Sequence, residues 1–404
     1  MLLSPGKKIY IGINSNKKIL LSQIIYILAF VIYLTNIFFY KTMFKVYMSN
    51  SITTLVNLSC ICILIFKIIV FDEYTVKEFY KVLILGSIFS IAYFISGYNM
   101  LILLLLFIVG AKNVQFKSIV NTYLIVGITI VILAMISAKL GIIEHIIYLR
   151  EGKFRYSFGS IYATDFASGV FFLIISYFYT RYKKLTIFEI IGFVLLGIFT
   201  WYYCDARLDS LSIFAVSIFA FFTILLRLKN INLNNVVKIK NTFIKFTLKM
   251  AIPLSALVSI IVTNIYDSSN EFMVHLNQFL NNRLIMGKKG IVDYGFNLFG
   301  QKIDMIGNGG TNGSISNYFF IDSSYLHIAL RYGLLVLIIL CLYYFTFMKY
   351  CINNGQILLP IIIIFIGANS MIAHHLIDLA YNPFILVFFA DIGINNKNRV
   401  LENT

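Results

Sequence analysis

Polar and ionisable side chains crowd the stretch IDSSYLHIALRYG, residues 321 to 333, where a long apolar run begins. Asp322, Ser323 and Ser324 suit a helix N-cap, because the first turn of a helix carries backbone N–H groups with no intrahelical partner. Ser324, His327 or Ile328, and Arg331 fall on one helical face by their i, i+3/i+4, i+7 spacing. In a lipid-embedded helix a polar stripe faces a protein interior or a wet cavity rather than hydrocarbon. The stretch thus joins a helix cap to a polar stripe aimed at an interior. A second cluster lies in YYCDARLDSLSIF, residues 202 to 214, where Asp205, Arg207 and Asp209 join two apolar runs in a hairpin too short to leave the membrane surface. Two readings of Arg207 stand side by side. Either Asp205 and Asp209 balance it in the interfacial zone, or it is kept desolvated so that its planar fork can grip a phosphate.

Arg283, in NNRLIMG, precedes Leu284, Ile285 and Met286 at a spacing that fits an interfacial helix with its polar side towards a cavity. Arg150, Lys153 and Arg155, in LREGKFRYSFGS, meet either lipid head groups or the head of a lipid-linked donor. His374 and Asp378 are spaced i, i+4, but two ligands are too few to define a metal site, so with His375 they read as structural or substrate-lining. No Walker loop, dinucleotide fingerprint, nucleophile elbow or aspartate-rich metal motif is present. An enzyme built from this chain is therefore expected to use no cofactor and no metal, and to draw its driving force from the donor's own leaving group.

The elements that must position these groups are membrane spans. The chain has 404 residues, 60% hydrophobic and 12% charged, and its apolar residues come in long blocks nearly free of charge. Blocks at 19–39, 52–71, 80–95, 98–111, 118–138, 165–180, 186–203, 210–227, 246–265, 325–347, 356–373 and 380–392 predict an all-α polytopic protein of about twelve transmembrane helices. The blocks 80–95 and 98–111 are short and also fit a re-entrant hairpin. The net charge is +16, but the Lys and Arg residues cluster between apolar blocks, without the aromatic interleaving or zinc spacings of nucleic-acid modules. Their bias between alternate short loops places both termini on the cytoplasmic side. The five cysteines lack disulfide or metal spacing and read as small hydrophobes. The whole of 1–404 reads as one integral membrane domain with two notable external loops, 139–164 and 266–324. The larger, between helices 9 and 10, is expected to hold amphipathic helices near 271–288 and a flexible turn at Gly307–Gly313.

With these pieces in place, the chain resembles the Wzy-type O-antigen and capsular polysaccharide polymerases and, more distantly, the O-antigen ligases. The likeness covers most of the chain as an architecture and residues 200–335 as motif. DARLDSL sits where that superfamily has a short Ser-Arg element, with Arg207 on the Arg and Ala206 replacing the Ser. NNRLIMGKKGIVDYGFNLFGQKI is similar to the start of the large external loop in Gram-positive capsule polymerases and puts Arg283 on that family's loop arginine. DSSYLHIALRYGLL is similar to the element that closes the loop. There Asp322 falls on the ligase histidine, Leu326 on its Leu and Gly333 near its Gly, and the Asp favours a polymerase over a ligase.

The resemblance implies a metal-independent inverting glycosyltransferase of the outer face of a bacterial cytoplasmic membrane. It would transfer a growing capsule, exopolysaccharide or O-antigen chain from undecaprenyl pyrophosphate to a sugar hydroxyl of the next lipid-linked repeat unit. Its expected catalytic residues are Asp322, Arg207 and Arg283. Arg331, Arg150, Arg155, Ser324 and Tyr325 are expected to bind substrate. Membrane lipids, a flippase and a chain-length regulator are its expected companions. A ligase-like glycan transferase and a flippase for the same lipid-linked sugars are the rival readings. A flippase has no need of a large ordered external loop, and the paired broken helices of a secondary transporter are not visible.

Overall fold

A computed structural model describes residues 15–150, 152–231, 233, 242–307, 309 and 317–393. Eight helices among them are long and apolar enough to cross a membrane: α1 (Ser15–Tyr40), α2 (Asn50–Phe71), α3 (Val76–Ser96), α5 (Phe116–Lys139), α6 (Ala163–Arg181), α7 (Ile187–Cys204), α8 (Arg207–Leu228) and α14 (Leu334–Asn353). Three apolar helices are shorter: α4 (Met100–Gly110), α10 (Ala251–Asn264) and α15 (Leu358–Asn369). The protein is thus a multi-pass helical membrane protein. Its starts carry ordinary capping chemistry: Thr75 and Glu78 form a reciprocal capping box on α3, as do Thr186 and Glu189 on α7.

The count of about twelve spans needs correcting in three places. The block 246–265 divides at Met250 into α9 (Thr242–Lys249) and α10, whose Pro253 is tolerated because the first helical turn needs no N–H donor. The block 325–347 opens with a buried turn, α13 (Ser324–His327), and a π-helical turn over Ile328–Tyr332, so the spanning helix starts only at Leu334. The block 380–392 makes a buried 3-10 turn, Pro383–Phe388, rather than a span. It is too short to cross, and the chain after it is tied down by bridges from Ala390 to Lys112 and from Asp391 to Gln115. The alternative of a re-entrant hairpin over 80–111 gives way to the 21-residue α3 followed by the short α4.

Loop 139–164 carries an antiparallel hairpin, β1 (Ile147–Arg150) with β2 (Lys153–Tyr156), which hydropathy did not signal. Loop 266–324 contains the two short helices expected there, α11 (Glu271–Phe279) and α12 (Arg283–Tyr294). The turn at Gly307–Gly313 lies largely outside the described residues.

Successive spans run in opposite directions, so the end of α1 and the starts of α6 and α8 meet at one end of the bundle. Ile161 N–H donates to Lys41 O at 3.2 Å, and Thr42 bridges Ser160 just above α6. The other end is closed by the buried pair of Lys67 and Asp72. Lys67 Nζ also donates to Gly110 O at 2.7 Å and Lys112 O at 2.6 Å, which supplies the carbonyls at the end of α4 with a charged partner.

Candidate functional site

Two adjoining cavities open at the end of the bundle where α1, α6 and α8 meet. The first, of about 460 Å³, is lined by Lys41 beyond α1, Asp165 and Ser168 of α6, Asp209 of α8, Arg283 of α12, and Asp322, His327 and Arg331. Residues 372–378, which follow α15, close its floor with His374, His375 and Asp378. The second, of about 350 Å³, is lined by Arg150 and Arg155 of the hairpin together with Asp205 and Arg283. Tyr162, Thr164, Asp209, Arg283, Tyr318 and Asp322 line both cavities and form the wall between them.

The centre of that wall is an ion pair. Arg283 Nε lies 3.6 Å from Asp322 Oδ2, with 12% of the Arg283 side chain and 31% of the Asp322 side chain exposed. Arg283 reaches it because Asn281 and Asn282 take left-handed backbone, with φ of 54° and 64°, which Asn tolerates better than most residues, and so start α12 abruptly. Asn277 Oδ1 accepts from Leu284 N and Ile285 N at 3.1 Å each and meets the free donors of that first turn. Burial raises the Asp322 carboxyl above its ordinary range, and the charges of Arg283 and Arg155 pull it only part of the way back. The expected capping role is not what holds this residue: Ser323 occupies the N-cap of α13 and its hydroxyl makes no capping bond.

The second cavity is the cationic one. Arg150 pairs with the Asp205 carboxylate, which also takes Arg207 Nε at 3.2 Å. Burial alone would raise Asp205, but the hydrogen bond and charge of Arg150, with Arg207 and Arg155, hold it below the usual carboxylate range. Arg155 Nε donates to Cys204 O at 3.0 Å. Burial, helped by Arg150, draws the Arg155 guanidinium down to about 10, so it stays charged at neutral pH. Among the described residues, Arg155 Nη2, Arg283 Nε and Arg331 Nε are each buried without a hydrogen-bond partner. A buried donor left unmatched costs about 1–3 kcal/mol, and an anionic ligand would remove that cost.

The remaining predicted residues go to different places. Arg207, 44% exposed along its side chain, leaves both cavities and lines a separate open groove of about 870 Å³ with Trp201, Tyr202, Tyr203 and Phe279. Ser324 and Tyr325 are buried and line neither cavity. Ser324 Oγ donates to Ala373 O at 2.5 Å and accepts from Leu376 N at 3.1 Å, and Tyr325 Oη donates to Gly367 O at 3.0 Å. These bonds pin the cavity floor. The stripe expected along 324–331 is split: His327 and Arg331 face the first cavity, while Ser324 and Ile328 turn into the core. Arg331 lies over the Tyr98 ring, its Cζ 3.4 Å from the centroid. Lys41 and Asp165 were missed in the sequence. Lys41 Nζ sits 2.8 Å from Asp378 Oδ2 and Asp165 stands in the first turn of α6. The available signal was that both are ionisable residues at span ends that alternate to the same side.

Among the described residues no group of three or more His, Cys, Asp or Glu is placed to hold a metal ion. Comparison of the chain with protein-family models, with curated proteins and with solved structures finds no match to any of them.

Proposed function

We propose that the protein polymerises a bacterial surface polysaccharide from lipid-linked repeat units, as the motif resemblance implies. The observation that carries this reading is the pair of adjoining cavities divided by Arg283 and Asp322, one rich in arginine and the other mixed in charge and aromatic character. The division suits two substrates that react across a shared wall. Arg155 and Arg283 bring guanidinium charge to that cavity for a pyrophosphate, with Arg150 beside them. The first cavity offers Tyr40, Tyr162, Tyr318 and Phe320 for sugar stacking and several carboxylates for sugar hydroxyls.

In this reaction an acceptor sugar hydroxyl attacks the anomeric carbon of the donor glycan. Its proton passes to Asp322, a new C–O bond forms, and the bond to pyrophosphate breaks with its electron pair leaving on a phosphate oxygen. Arg283 and Arg155 stabilise that oxygen without a metal, because fixed guanidinium groups in a water-poor cavity need little reorganisation. One displacement inverts the anomeric centre. The raised affinity of Asp322 for a proton matches the task of a base better than that of an ordinary exposed aspartate. The reading places both cavities on the outer face of the cytoplasmic membrane. Its support is the cationic opposite end, with Lys67, Lys112, Arg181, Lys183, Lys184 and Arg227.

The test is deletion of the gene in its own host, followed by sizing of lipid-linked glycans. Accumulation of single repeat units with loss of long polymer is the expected outcome. Unchanged polymer sinks the proposal, and single units trapped on the cytoplasmic leaflet would identify a flippase instead.

A further inference from the structure

The cations of the first cavity are Lys41, Lys45, Arg283 and Arg331; Lys45 Nζ lies 5.4 Å from the centroid of the Tyr40 ring, and Arg331 differs from Lys41 and Arg283 in its partner. Lys41 is matched by Asp378 at 2.8 Å and Arg283 by Asp322 at 3.6 Å. Arg331 is held instead by a neutral imidazole: Nη1 donates to His327 Nε2 at 3.2 Å. That nitrogen is free to accept because His327 Nδ1 donates to Ile321 O at 3.2 Å, which fixes the tautomer. The guanidinium plane rests on Tyr98, whose ring is fixed in turn by two bonds to Ile303: Tyr98 Oη donates to Ile303 O at 2.8 Å and accepts from Ile303 N at 3.2 Å. A carboxylate in place of His327 would orient Arg331 as well but would cancel its charge. A neutral acceptor and an aromatic face orient the guanidinium and leave most of that charge in place.

We infer that the glycan seated in the first cavity carries an anionic group, the carboxylate of an acidic sugar, and that Arg331, positioned by His327 and Tyr98, selects it. The inference rests on reading the cavity as a sugar site. The planar fork of a guanidinium matches a carboxylate edge to edge, and among the described residues Arg331 Nε has no hydrogen-bond partner. Of the four aspartates lining the cavity, Asp322 and Asp378 are ion-paired with Arg283 and Lys41, and the other two, Asp165 and Asp209, come from α6 and α8, whereas Arg331 rests on Tyr98 between α3 and α4.

The test uses full-length protein in lipid nanodiscs and two probes, a disaccharide ending in glucuronic acid and the same disaccharide with its carboxyl reduced to the alcohol. Calorimetric titration is expected to give about ten-fold tighter binding of the acid, as one charge-assisted contact supplies. In Arg331→Gln that ratio is expected to fall to near one. His327→Phe is expected to shrink the ratio and His327→Gln, which keeps an acceptor, to restore part of it. Wild-type protein that shows no preference, whether it binds both probes or neither, overturns the inference without any appeal to the variants. The deletion experiment separates the two levels. A polymer lost on deletion that contains no acidic sugar overturns the inference and leaves the polymerase reading intact, whereas unchanged polymer removes the polymerase reading itself.

Discussion

Arg283 and Arg207 show how much a single side chain owes to its surroundings. Both lie near an aspartate, but Arg283 is nearly enclosed in the wall between two cavities while Arg207 is 44% exposed in an outer groove. Replacing Arg283 by Lys keeps the charge and removes the fork. Chain extension from isolated lipid-linked units is expected to fall about ten- to hundred-fold. For Arg207→Lys the expected change is within about three-fold, since an exposed pair contributes little. Equal losses in the two variants would return Arg207 to the reaction centre. Asp322 gives a second prediction at this scale. Its folded carboxyl holds a proton more tightly than the unfolded one, even with the attraction of Arg283 included. Its contribution to stability is therefore full below the ordinary aspartate value, about 3.9, and is lost as pH rises through the raised one. Asp322→Asn is expected to melt above the parent at pH 7, to converge with it in acid, and to lose about 10²- to 10⁴-fold in activity for want of a base. A variant that melts lower at pH 7 would mean that the ion pair outweighs the burial of the carboxylate.

At the scale of elements, the site depends on how the large loop is fastened to the start of α14. Leu334 N and Leu335 N donate to Asn297 O and Leu298 O at 2.9 and 3.0 Å, and Gln301 N donates to Arg331 O at 3.1 Å. This close approach needs Gly333, whose φ is 103° and where a Cβ would come within 2.4 Å of Gly300 N and Leu298 O. Gly333→Ala is therefore expected to cost about 1–3 kcal/mol or more. The loop should loosen with it, seen as a lower melting temperature and new protease cleavage between α12 and α13. A variant as stable and as resistant as the parent would show that the fastening is not under this constraint. The short helices of the loop were legible because 271–288 mixes apolar, polar and charged residues in a helical rhythm. The β-hairpin was not, because its exposed strands IYLR and KFRY bury no continuous face.

For the whole molecule, the decisive quantity is orientation. All of the cavity-lining span ends lie on one side, and labelling can read which side that is. Lys139→Cys, at the cavity end of α5, is expected to react with an impermeant maleimide in intact cells. Lys184→Cys, in the turn between α6 and α7, is expected to react only after permeabilisation, with both residues exposed in the fold. The reverse pattern would put the cavities in the cytoplasm, away from any external polymerisation. The short α10 and α15 belong to this scale as well. α15 ends against α13, where Ser370 O accepts from Ser324 N at 2.9 Å, so the chain turns back beneath the site rather than completing a crossing.

Hydropathy is a local property, and the sequence alone determined what hydropathy can: a helical multi-pass protein, most of its spans to within a few residues, the large loop with its two short helices, and the polar character of 322–331. Spans shorter than the bilayer misled it, because α4, α15 and the 3-10 turn at Pro383–Phe388 are sheltered by protein on positions where a lone span would face lipid. The site itself was legible only in part. Arg283, Asp322, Arg150 and Arg155 could be singled out as charges near a membrane, but nothing in their neighbourhoods says that they converge while Arg207 turns away. Pairs such as Lys41 with Asp378 and Ser168 with Asp209 join residues far apart in the chain. Only the packing of antiparallel helices, which brings the end of one span beside the start of another, decides which ionisable groups share a cavity and which face the lipid surface.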